Sequence, residues 1–354
     1  MSTLSLDRQY STATGHLPRS DEFSRLKTVQ GDLVRGVYID AAGARMPFED
    51  YAEQWRNGQV HRPSTAILVE SHMRLHVYPT FGARQLGSIR PSEIQAWVKG
   101  RSAVLAPSTV ELVYRYVAAI FIAAVADRLI ASSPCSSVKL PKIDRPQVVP
   151  LANEAVLALA HTVPARYRAL VMFAAGTGAR QGECFGVTRD RLDMLRRTVR
   201  IDRQLQSVAR GGVVLCPPKT AASVRTIPLP EVVLGELAAH MAAYPLGPDG
   251  FLFTTPQGGP LRRTRFSEVW RQAVRTAGAP NGTGFHALRH YYASLLIDGG
   301  ESVKIVQGRL GHATASETLD TYGHLWPDTE DRTRGAVDRA LCAPERTAQV
   351  PAHD

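Results

Sequence analysis

The 354-residue sequence has few cysteines, no long apolar run and fewer acidic than basic residues. The four cysteines are far apart and form no C-x-x-C pair: Cys135, Cys184, Cys216 and Cys342. This spacing indicates neither a disulfide framework nor a zinc site and is typical of reduced thiols. The longest apolar runs, residues 117–126 and 170–175, are well short of the roughly 20 residues that span a bilayer. We therefore expect no membrane partner.

Features of other protein classes are missing as well. The first residues, MSTLSLDRQYSTATG, contain no basic stretch followed by an apolar core, which predicts a cytoplasmic protein rather than a secreted one. The sequence has no G-x-x-x-x-G-K-[ST] loop and no cluster of acidic metal ligands. We therefore expect no ATP, no metal and no other cofactor.

Basic residues are in excess, with 42 Lys and Arg against 32 Asp and Glu and a formal net charge of +10. The excess is spread along the chain, +4 up to residue 140 and +6 beyond it. This distribution favours a polyanionic partner, because each neutralised phosphate releases counterions. A mildly basic protein without such a partner has the same composition. The hydrophobic share of 44% is typical of a globular chain, and the length predicts two or three domains.

Apolar spacing predicts a small all-α domain over residues 47–133. Its first helix shows as one apolar stripe at helical spacing: Phe48, Tyr51, Ala52 and Trp55. We expect three more helices: one over residues 64–77 that ends before Pro79, one from Pro91, and one that Ser108 opens with a capping box. Residues 1–46 form a separate N-terminal segment with a β-like stretch at 37–39.

A proline-rich basic stretch at residues 134–150 predicts an extended linker to a second domain. That domain covers residues 151–342, and a flexible tail follows at 343–354. Its expected helices lie at residues 153–161, 165–175, 231–243, 264–277, 285–298, 302–308 and 316–324. Its expected strands, at residues 198–205, 213–216 and 224–229, form a small antiparallel sheet with Gly211-Gly212 as a turn. The fold class is therefore mainly α with a small antiparallel sheet (α+β).

Two polar segments of the second domain are candidate site segments. In TGARQGE, Arg180 has Glu183 three positions on, where the acid could hold the guanidinium in one direction. A surface ion pair is the commoner meaning of this spacing. Lys219, between two candidate strands, is by itself most typical of a solvated hairpin tip.

Histidines mark the other candidate segments. In HALRH, His286, Arg289 and His290 form a donor cluster for an anionic oxygen on one side of a helix. A metal site would need a further ligand at helical spacing, which the sequence lacks. His312 follows a helix that ends at Gly311, and Tyr322 comes ten residues later. A lone tyrosine on an apolar helix is more often a core residue.

Taken together, these segments resemble a known family. The order Arg, Lys, His-x-x-Arg, Gly-His and Tyr is similar to the active site of the tyrosine recombinases, the phage-type integrases. The phrases TGARQGE, HALRH, LGH at 310–312 and TYGH at 321–324 also resemble that family over about residues 151–340. The resemblance implies an all-α, SAM-like core-binding domain followed by a mixed catalytic domain. The segment at 37–46 is similar to the end of an arm-type DNA-binding domain, but a complete one is not evident.

The resemblance also implies a role for each residue. Arg180 and Arg289 would clamp the phosphodiester, and Tyr322 would attack phosphorus to leave a 3′-phosphotyrosyl link. Lys219 would protonate the departing 5′-oxygen. His286 and His312 would donate to the phosphate, with one of them accepting the tyrosine proton. Glu183 and His290 would support them.

The nucleophile lies in a segment whose side-chain directions can be predicted. We expect Ser316 to cap this helix. Leu319 and Leu325 are the better candidates for its buried stripe, which would leave the phenol of Tyr322 facing a cleft.

The implied function is a site-specific DNA recombinase that integrates or excises a mobile element such as a phage. Its implied partners are double-stranded DNA, three further copies of the chain in a tetramer on DNA, and an accessory bending or directionality factor. Candidate DNA contacts are a run of arginines: Arg262, Arg263, Arg265 and Arg271. Two alternatives remain, a type IB topoisomerase-like relaxing enzyme and a catalytically silent DNA-binding regulator.

Overall fold

The computed structural model describes residues 43–144, 146–208, 212–218, 220–326 and 330–341. The expectations for residues 1–42, Gly211, Lys219 and 343–354 lie outside them. The chain divides into two compact units, one up to Asp144 and one from Arg145. Helices dominate both, and the second also contains short antiparallel strands, which confirms the predicted fold class.

The first unit is a helical bundle. Its helices are α1 Phe48–Gly58, α2 Pro63–His72, α3 Tyr78–Phe81, α4 Pro91–Ser102 and α5 Pro107–Ala126. A π-helical turn, Met73–Val77, joins α2 to α3, so the expected end before Pro79 is wrong. Pro79 lies in the first turn of α3, after the π-helical turn, and the first turn is the part of a helix that tolerates proline best.

Helix α5 is the centre of this unit. It starts at Pro107 after Ala106, with no side-chain cap, so the capping box expected from Ser108 is wrong. A proline at the first helical position already presets the backbone for a helix. Among the described residues, α5 is the one helix with the length and composition to cross a membrane. Seven of its residues are buried in the core of the unit.

The second unit contains nine further helices among its described residues. They are α6 Asn153–Thr162, α7 Ala165–Thr177, α8 Gln181–Phe185, α9 Glu231–Ala243, α10 Arg263–Thr276, α11 Ala287–Asp298, α12 Val303–Leu310, α13 Ala315–Tyr322 and α14 Glu330–Leu341. Each predicted helix is present within a few residues of its expected bounds. The cap of α13 differs, because the Thr314 side chain, and not Ser316, accepts from the Glu317 backbone N–H.

Five short strands form two sheets instead of the single sheet expected. They are β1 Leu192–Asp193, β2 Thr198–Ile201, β3 Gln204–Ser207, β4 Val213–Cys216 and β5 Arg225–Pro228. One antiparallel sheet has the order β1-β2-β5 and the other pairs β3 with β4. The strand expected over residues 198–205 breaks at Asp202 and Arg203. Asp202 accepts hydrogen bonds from Arg191 and Arg203 at this point, which directs the chain from one sheet into the next.

One apolar core joins α7, α9, α11 and both sheets. Phe173, Val199, Leu237 and Leu288 are fully buried in it. Helix α7 packs against α6, α9 and α11, so the turn after α7 and the start of α11 lie at one edge of the core. The candidate site residues Arg180 and Arg289 come from these two segments, which the Arg289 hydrogen bond to the Gly178 carbonyl joins.

Candidate active site

The turn after α7 positions Arg180 and Glu183. Gly178 ends α7 in the left-handed conformation, with φ +62°, and Arg180 is the N-cap of α8. The Glu183 carboxylate accepts from the Arg180 backbone N–H at 2.9 Å and from Arg180 Nη1 at 3.2 Å. Glu183 is only 2% exposed while the Arg180 side chain is 34% exposed. The structure therefore supports an oriented arginine rather than a surface ion pair.

Arg225, at the start of β5, is a site residue that the sequence reasoning missed. Its Nη2 donates to Glu183 Oε2 at 2.9 Å, its Nε to the Arg309 carbonyl at 2.7 Å and its Nη1 to the Ser223 carbonyl at 2.9 Å. Burial raises the pKa of Glu183, but the ion pair with Arg225 outweighs it, so the net pKa is lowered. Arg225 thus joins three chain segments around one buried carboxylate. The only signal in the sequence was a charged residue inside an alternating strand pattern.

Helix α11 positions the His-x-x-Arg segment. Arg289 is 2% exposed, and its guanidinium donates to the carbonyls of Gly178 and Leu310, each at 2.8 Å. Burial and the nearby Arg180 lower the pKa of Arg289 to about 9, so it remains a cation at neutral pH. The helix expected over residues 285–298 begins at Ala287, so His286 is its N-cap residue and does not lie inside it.

The turn between α12 and α13 presents His312. Gly311 ends α12 with φ +67°, and the next side chain, His312, is 6% exposed. His312 Nδ1 shares a hydrogen bond with Thr318 Oγ1 at 2.8 Å. Its Nε2 faces the Glu317 carboxylate at 3.6 Å. These contacts hold the imidazole plane in one orientation.

Tyr322 is buried at the end of α13, with 1% of the residue exposed. The expectation of a phenol facing a cleft is therefore wrong. The expected buried stripe is wrong at Leu319, which is 47% exposed, whereas Leu325 is partly buried and packs against the core. The reason is that the tyrosine ring packs against two histidines. It stacks on His312, with ring centroids 6.4 Å apart and planes 10° apart, and contacts His290 at 5.6 Å.

The histidines around Tyr322 form one cluster. His290 Nδ1 is 2.8 Å from the Tyr322 hydroxyl, and the rings of His286 and His290 contact each other edge-on at 4.8 Å. Desolvation and nearby cations lower the pKa of His286 to about 4 and that of His312 to about 3. Burial and Arg289 also lower the pKa of His290. All three imidazoles are therefore neutral at pH 7.

The phenol itself is held protonated. Burial raises the pKa of Tyr322 to about 12, although the positive charges of Arg289 and Arg180 oppose the rise. At neutral pH the hydroxyl is therefore a poor nucleophile unless a base removes its proton. The two arginines partly stabilise the phenolate that such a base would produce.

A small cavity of about 220 Å³ opens beside Arg180. Its lining is polar: Arg180, Glu183, Gln204, Thr220, Ser223, Gly311, Ala313 and Glu317. Lys219 lies outside the described residues, but its chain neighbour Thr220 is in this lining. A tetrahedral oxyanion fits a space of this size, next to a guanidinium and to the turn that ends α12.

The candidate DNA-contact arginines lie on and before α10. Arg262, Arg263, Arg265 and Arg271 are all exposed. Arg263 and Arg271 also line a groove of about 450 Å³ together with Gln181, the residue after Arg180. The structure thus brings these two arginines to the active-site edge, while Arg262 and Arg265 are not part of the groove lining. Among the described residues, no group of three or more His, Cys, Asp or Glu side chains could hold a metal ion.

Comparisons with known proteins agree on one family. The phage integrase family profile matches residues 146–328, and its N-terminal SAM-like domain profile matches residues 47–101. The integrase of Mycobacterium phage FRAT1 is 28% identical over 77% of this chain and 83% of its own length. A tyrosine recombinase XerC-like protein of Caldanaerobacter subterraneus is 25% identical over 75% of each chain.

Solved structures share the fold. The Tn1549 transposon integrase in complex with a circular intermediate DNA has a TM-score of 0.72 and 23% identity, covering 83% of this chain and 99% of that one. A lambda integrase dimer bound to a COC′ core site has a TM-score of 0.64 and 16% identity, covering 88% and 90%. The profile match spans more than half of the sequence, including every segment of the site. The chain therefore belongs to the phage integrase family, the tyrosine recombinases that carry out site-specific DNA recombination.

Proposed function

We propose that this chain integrates or excises a mobile element by cutting and rejoining DNA through a covalent 3′-phosphotyrosyl intermediate. The observation that carries the proposal is that four of the motif residues meet in space. Arg180, Arg289, His312 and Tyr322 come from four different elements and meet within one set of contacts. The only phenol in that set is the proposed nucleophile.

The proposed phosphate clamp divides the work between two arginines. The contacts of the Arg180 guanidinium with Ser223 Oγ and the Gly311 carbonyl are long, at 3.5 and 3.4 Å, so a phosphate can replace them at little cost. Arg289 uses two of its five N–H groups on backbone carbonyls and has the others for a second phosphate oxygen. Paired N–H donors neutralise the non-bridging oxygens and favour the more highly charged transition state.

The remaining steps use acid and base chemistry without a cofactor. A phenol attacks phosphorus, and the bond to the 5′-oxygen breaks. We assign protonation of that oxygen to Lys219, on the basis of the family resemblance and of Thr220 in the cavity lining. His286 and His312 would donate to the phosphate oxygens through their ring N–H groups. The ester energy stays in the phosphotyrosine, so rejoining needs no ATP.

The proposed partner is double-stranded DNA. The related Tn1549 and lambda integrases have been solved in complex with DNA, and lambda integrase also as a tetramer bound to a Holliday junction. The exposed arginines of α10 would neutralise backbone phosphates. We propose that this chain likewise acts as a homotetramer, with α14 docking on a neighbouring copy, and that an accessory factor sets its direction.

Tyr322→Phe tests the proposal. The variant loses one hydroxyl and its hydrogen bond, which contributes roughly 0.5–1.5 kcal/mol, so folding and DNA binding are expected to survive. The substrate is a nicked suicide duplex containing the crossover site of the element, from which the cleaved 5′ end diffuses away. Wild type is expected to accumulate a DNA adduct stable in hot detergent, with peptide mapping placing the phosphate on Tyr322.

Tyr291→Phe is the matched control. The Tyr291 hydroxyl donates to Asn153 at the start of α6 and not to the histidine cluster, so this variant should form the adduct normally. An adduct from Tyr322→Phe would refute the assignment of the nucleophile. Absence of an adduct from wild type would favour the silent regulator, and relaxation of plasmids lacking any crossover site would favour the topoisomerase-like alternative.

A further inference from the structure

Three histidines surround the tyrosine, and their contacts differ. The described hydrogen bonds give the Tyr322 hydroxyl one partner, Nδ1 of His290 at 2.8 Å. The His312 ring is nearly parallel to the tyrosine ring, with centroids 6.4 Å apart, and its Nδ1 shares a hydrogen bond with Thr318 Oγ1. His286 contacts the ring of His290 edge-on, with ring centroids 4.8 Å apart. The geometry separates His290, which contacts the phenolic hydroxyl, from His286 and His312, for which the described hydrogen bonds give no contact with it.

The hydrogen bond can place the phenolic proton on a path to His290. A buried phenol with a raised pKa keeps its proton, so its O–H is available to donate to Nδ1 of His290, 2.8 Å away. In the tautomer with the ring proton on Nε2, Nδ1 carries the lone pair that accepts it. This tautomer is the one in which an imidazole can accept a proton from the hydroxyl it already contacts.

We propose that His290 is the general base for Tyr322, accepting the phenolic proton at Nδ1 as the phenol oxygen attacks phosphorus. This inference rests on the proposed function. In the cleavage step the O–H bond of Tyr322 breaks and an N–H bond forms on His290. At the same time the phosphorus gains the phenolic oxygen and loses the 5′-oxygen, which takes a proton from the acid assigned to Lys219. Rejoining reverses both transfers, so His290 returns the proton to the departing phenol.

The environment of His290 favours transfer of the phenolic proton during the attack of Tyr322 on phosphorus rather than before it. Burial and Arg289, the preceding residue in the chain, disfavour a cation on His290, and burial of Tyr322 disfavours its phenolate more than the charges of Arg289 and Arg180 favour it. A free imidazolium and phenolate pair is therefore unfavourable in the resting site. Once the phenolic oxygen begins to bond to phosphorus its proton becomes acidic, and a base already in contact needs no rearrangement.

The test separates nucleophile activation from leaving-group protonation. Single-turnover cleavage is measured on the suicide duplex with its ordinary 5′-oxygen and with a bridging sulfur in that position. A thiolate leaves without protonation, so Lys219→Ala should be slow on oxygen and close to wild type on sulfur. His290→Ala should be slowed by about 10²-fold or more on both, the scale expected for a general base. Added imidazole should restore part of the rate.

A second variant controls for the packing that is lost when alanine replaces His290. In His290→Asn, Oδ1 replaces Nδ1 as a hydrogen-bond acceptor but cannot take up a proton. We expect this variant to fold, bind DNA and remain slow on both substrates. Tyr291→Phe, a change in the same helix, should cleave at the wild-type rate.

Two results would overturn the inference: His290→Ala cleaving the sulfur duplex within about threefold of wild type, as Lys219→Ala is expected to do, or His290→Asn restoring the rate. Each of these leaves the proposed function intact as long as Tyr322→Phe forms no adduct. The two proposals therefore fail separately.

Discussion

At the residue scale, the site is organised around a buried carboxylate. Glu183 lies between Arg225 and Arg180, with side-chain exposures of 2%, 5% and 34% respectively. Removing one partner of a buried ion pair typically costs about 3–5 kcal/mol, because the other charge stays buried without compensation. Arg225 therefore fixes Glu183, which fixes Arg180 in turn. The arginine proposed for the phosphate clamp is therefore held by an arginine outside the clamp.

The clamp can be tested at Arg180. Arg180→Lys keeps the positive charge but loses the planar pair of donors. We expect DNA affinity near wild type and a cleavage rate lowered by roughly 10²-fold or more, the scale of losing one oxyanion donor. The measurements are gel-shift binding and single-turnover cleavage of the suicide duplex. Normal cleavage by Arg180→Lys would show that this residue is not part of the clamp.

Arg289 is less suited to the same test. Both of its terminal nitrogens donate to backbone carbonyls in the core, and a lysine cannot satisfy both. A substitution there would change stability as well as chemistry. The partly exposed Arg180 isolates the chemistry from the fold.

At the element scale, two helix ends bring the site together. Gly178 and Gly311 end α7 and α12 in the left-handed conformation, which glycine adopts without the strain that a Cβ introduces. The Gly178 carbonyl accepts from Arg289, and the Gly311 carbonyl from Arg180. Each turn therefore both ends a helix and orients an arginine from another element.

A substitution at Gly178 tests the importance of this turn. An added Cβ would lie 2.4 Å from Tyr292 Cδ1 and would sit on a residue with φ +62°. We expect Gly178→Ala to lower the free energy of unfolding by about 1–3 kcal/mol. The measurement is urea unfolding followed by circular dichroism.

Gly308→Ala is the matched control for that experiment. Gly308 lies inside α12, and an added Cβ would meet nothing within 4 Å. Alanine favours a helix over glycine by roughly 0.5–1 kcal/mol, so this variant should be as stable as wild type or more so. Equal effects at the two glycines would contradict the explanation from backbone conformation.

At the scale of the whole molecule, the chain is two units and a connection. Residues 138–144 and 146–152 contain no helix or strand. Gln95 holds Lys139 to the first unit through two hydrogen bonds, and His324 holds the Val148 carbonyl to the second. The stretch between these two anchors is therefore shorter than the linker expected over residues 134–150.

Limited proteolysis tests the division. Lys142 is 89% exposed, and a trypsin cut after Arg145 is disfavoured because Pro146 follows it. We expect the first tryptic cut after Lys142, releasing a fragment that begins at Ile143, identified by N-terminal sequencing. If one duplex contacts both units, DNA with the crossover site should slow this cut more than DNA without it. A first cut inside a helix of either unit, or equal rates with both duplexes, would contradict this picture.

Local patterns in the sequence were enough to identify the helices, the order of the motif residues and the family. Periodicity is a property of neighbouring residues, so the stripe from Phe48 to Trp55 and the helix around Arg289 could be predicted without tertiary information. The motif residues could be named because their spacing along the chain is itself the signal.

Only the tertiary structure decided which sides of these elements are buried and which charges meet. Periodicity defines a face relative to the axis of its own helix, and the elements packed around that helix determine whether the face is inside. For this reason Leu319 is exposed and Tyr322 buried, the reverse of the expectation. Arg225 lies 42 residues from Glu183 and His290 lies 32 from Tyr322. Contacts at such separations depend on how distant segments pack, and a single sequence contains no local record of that packing.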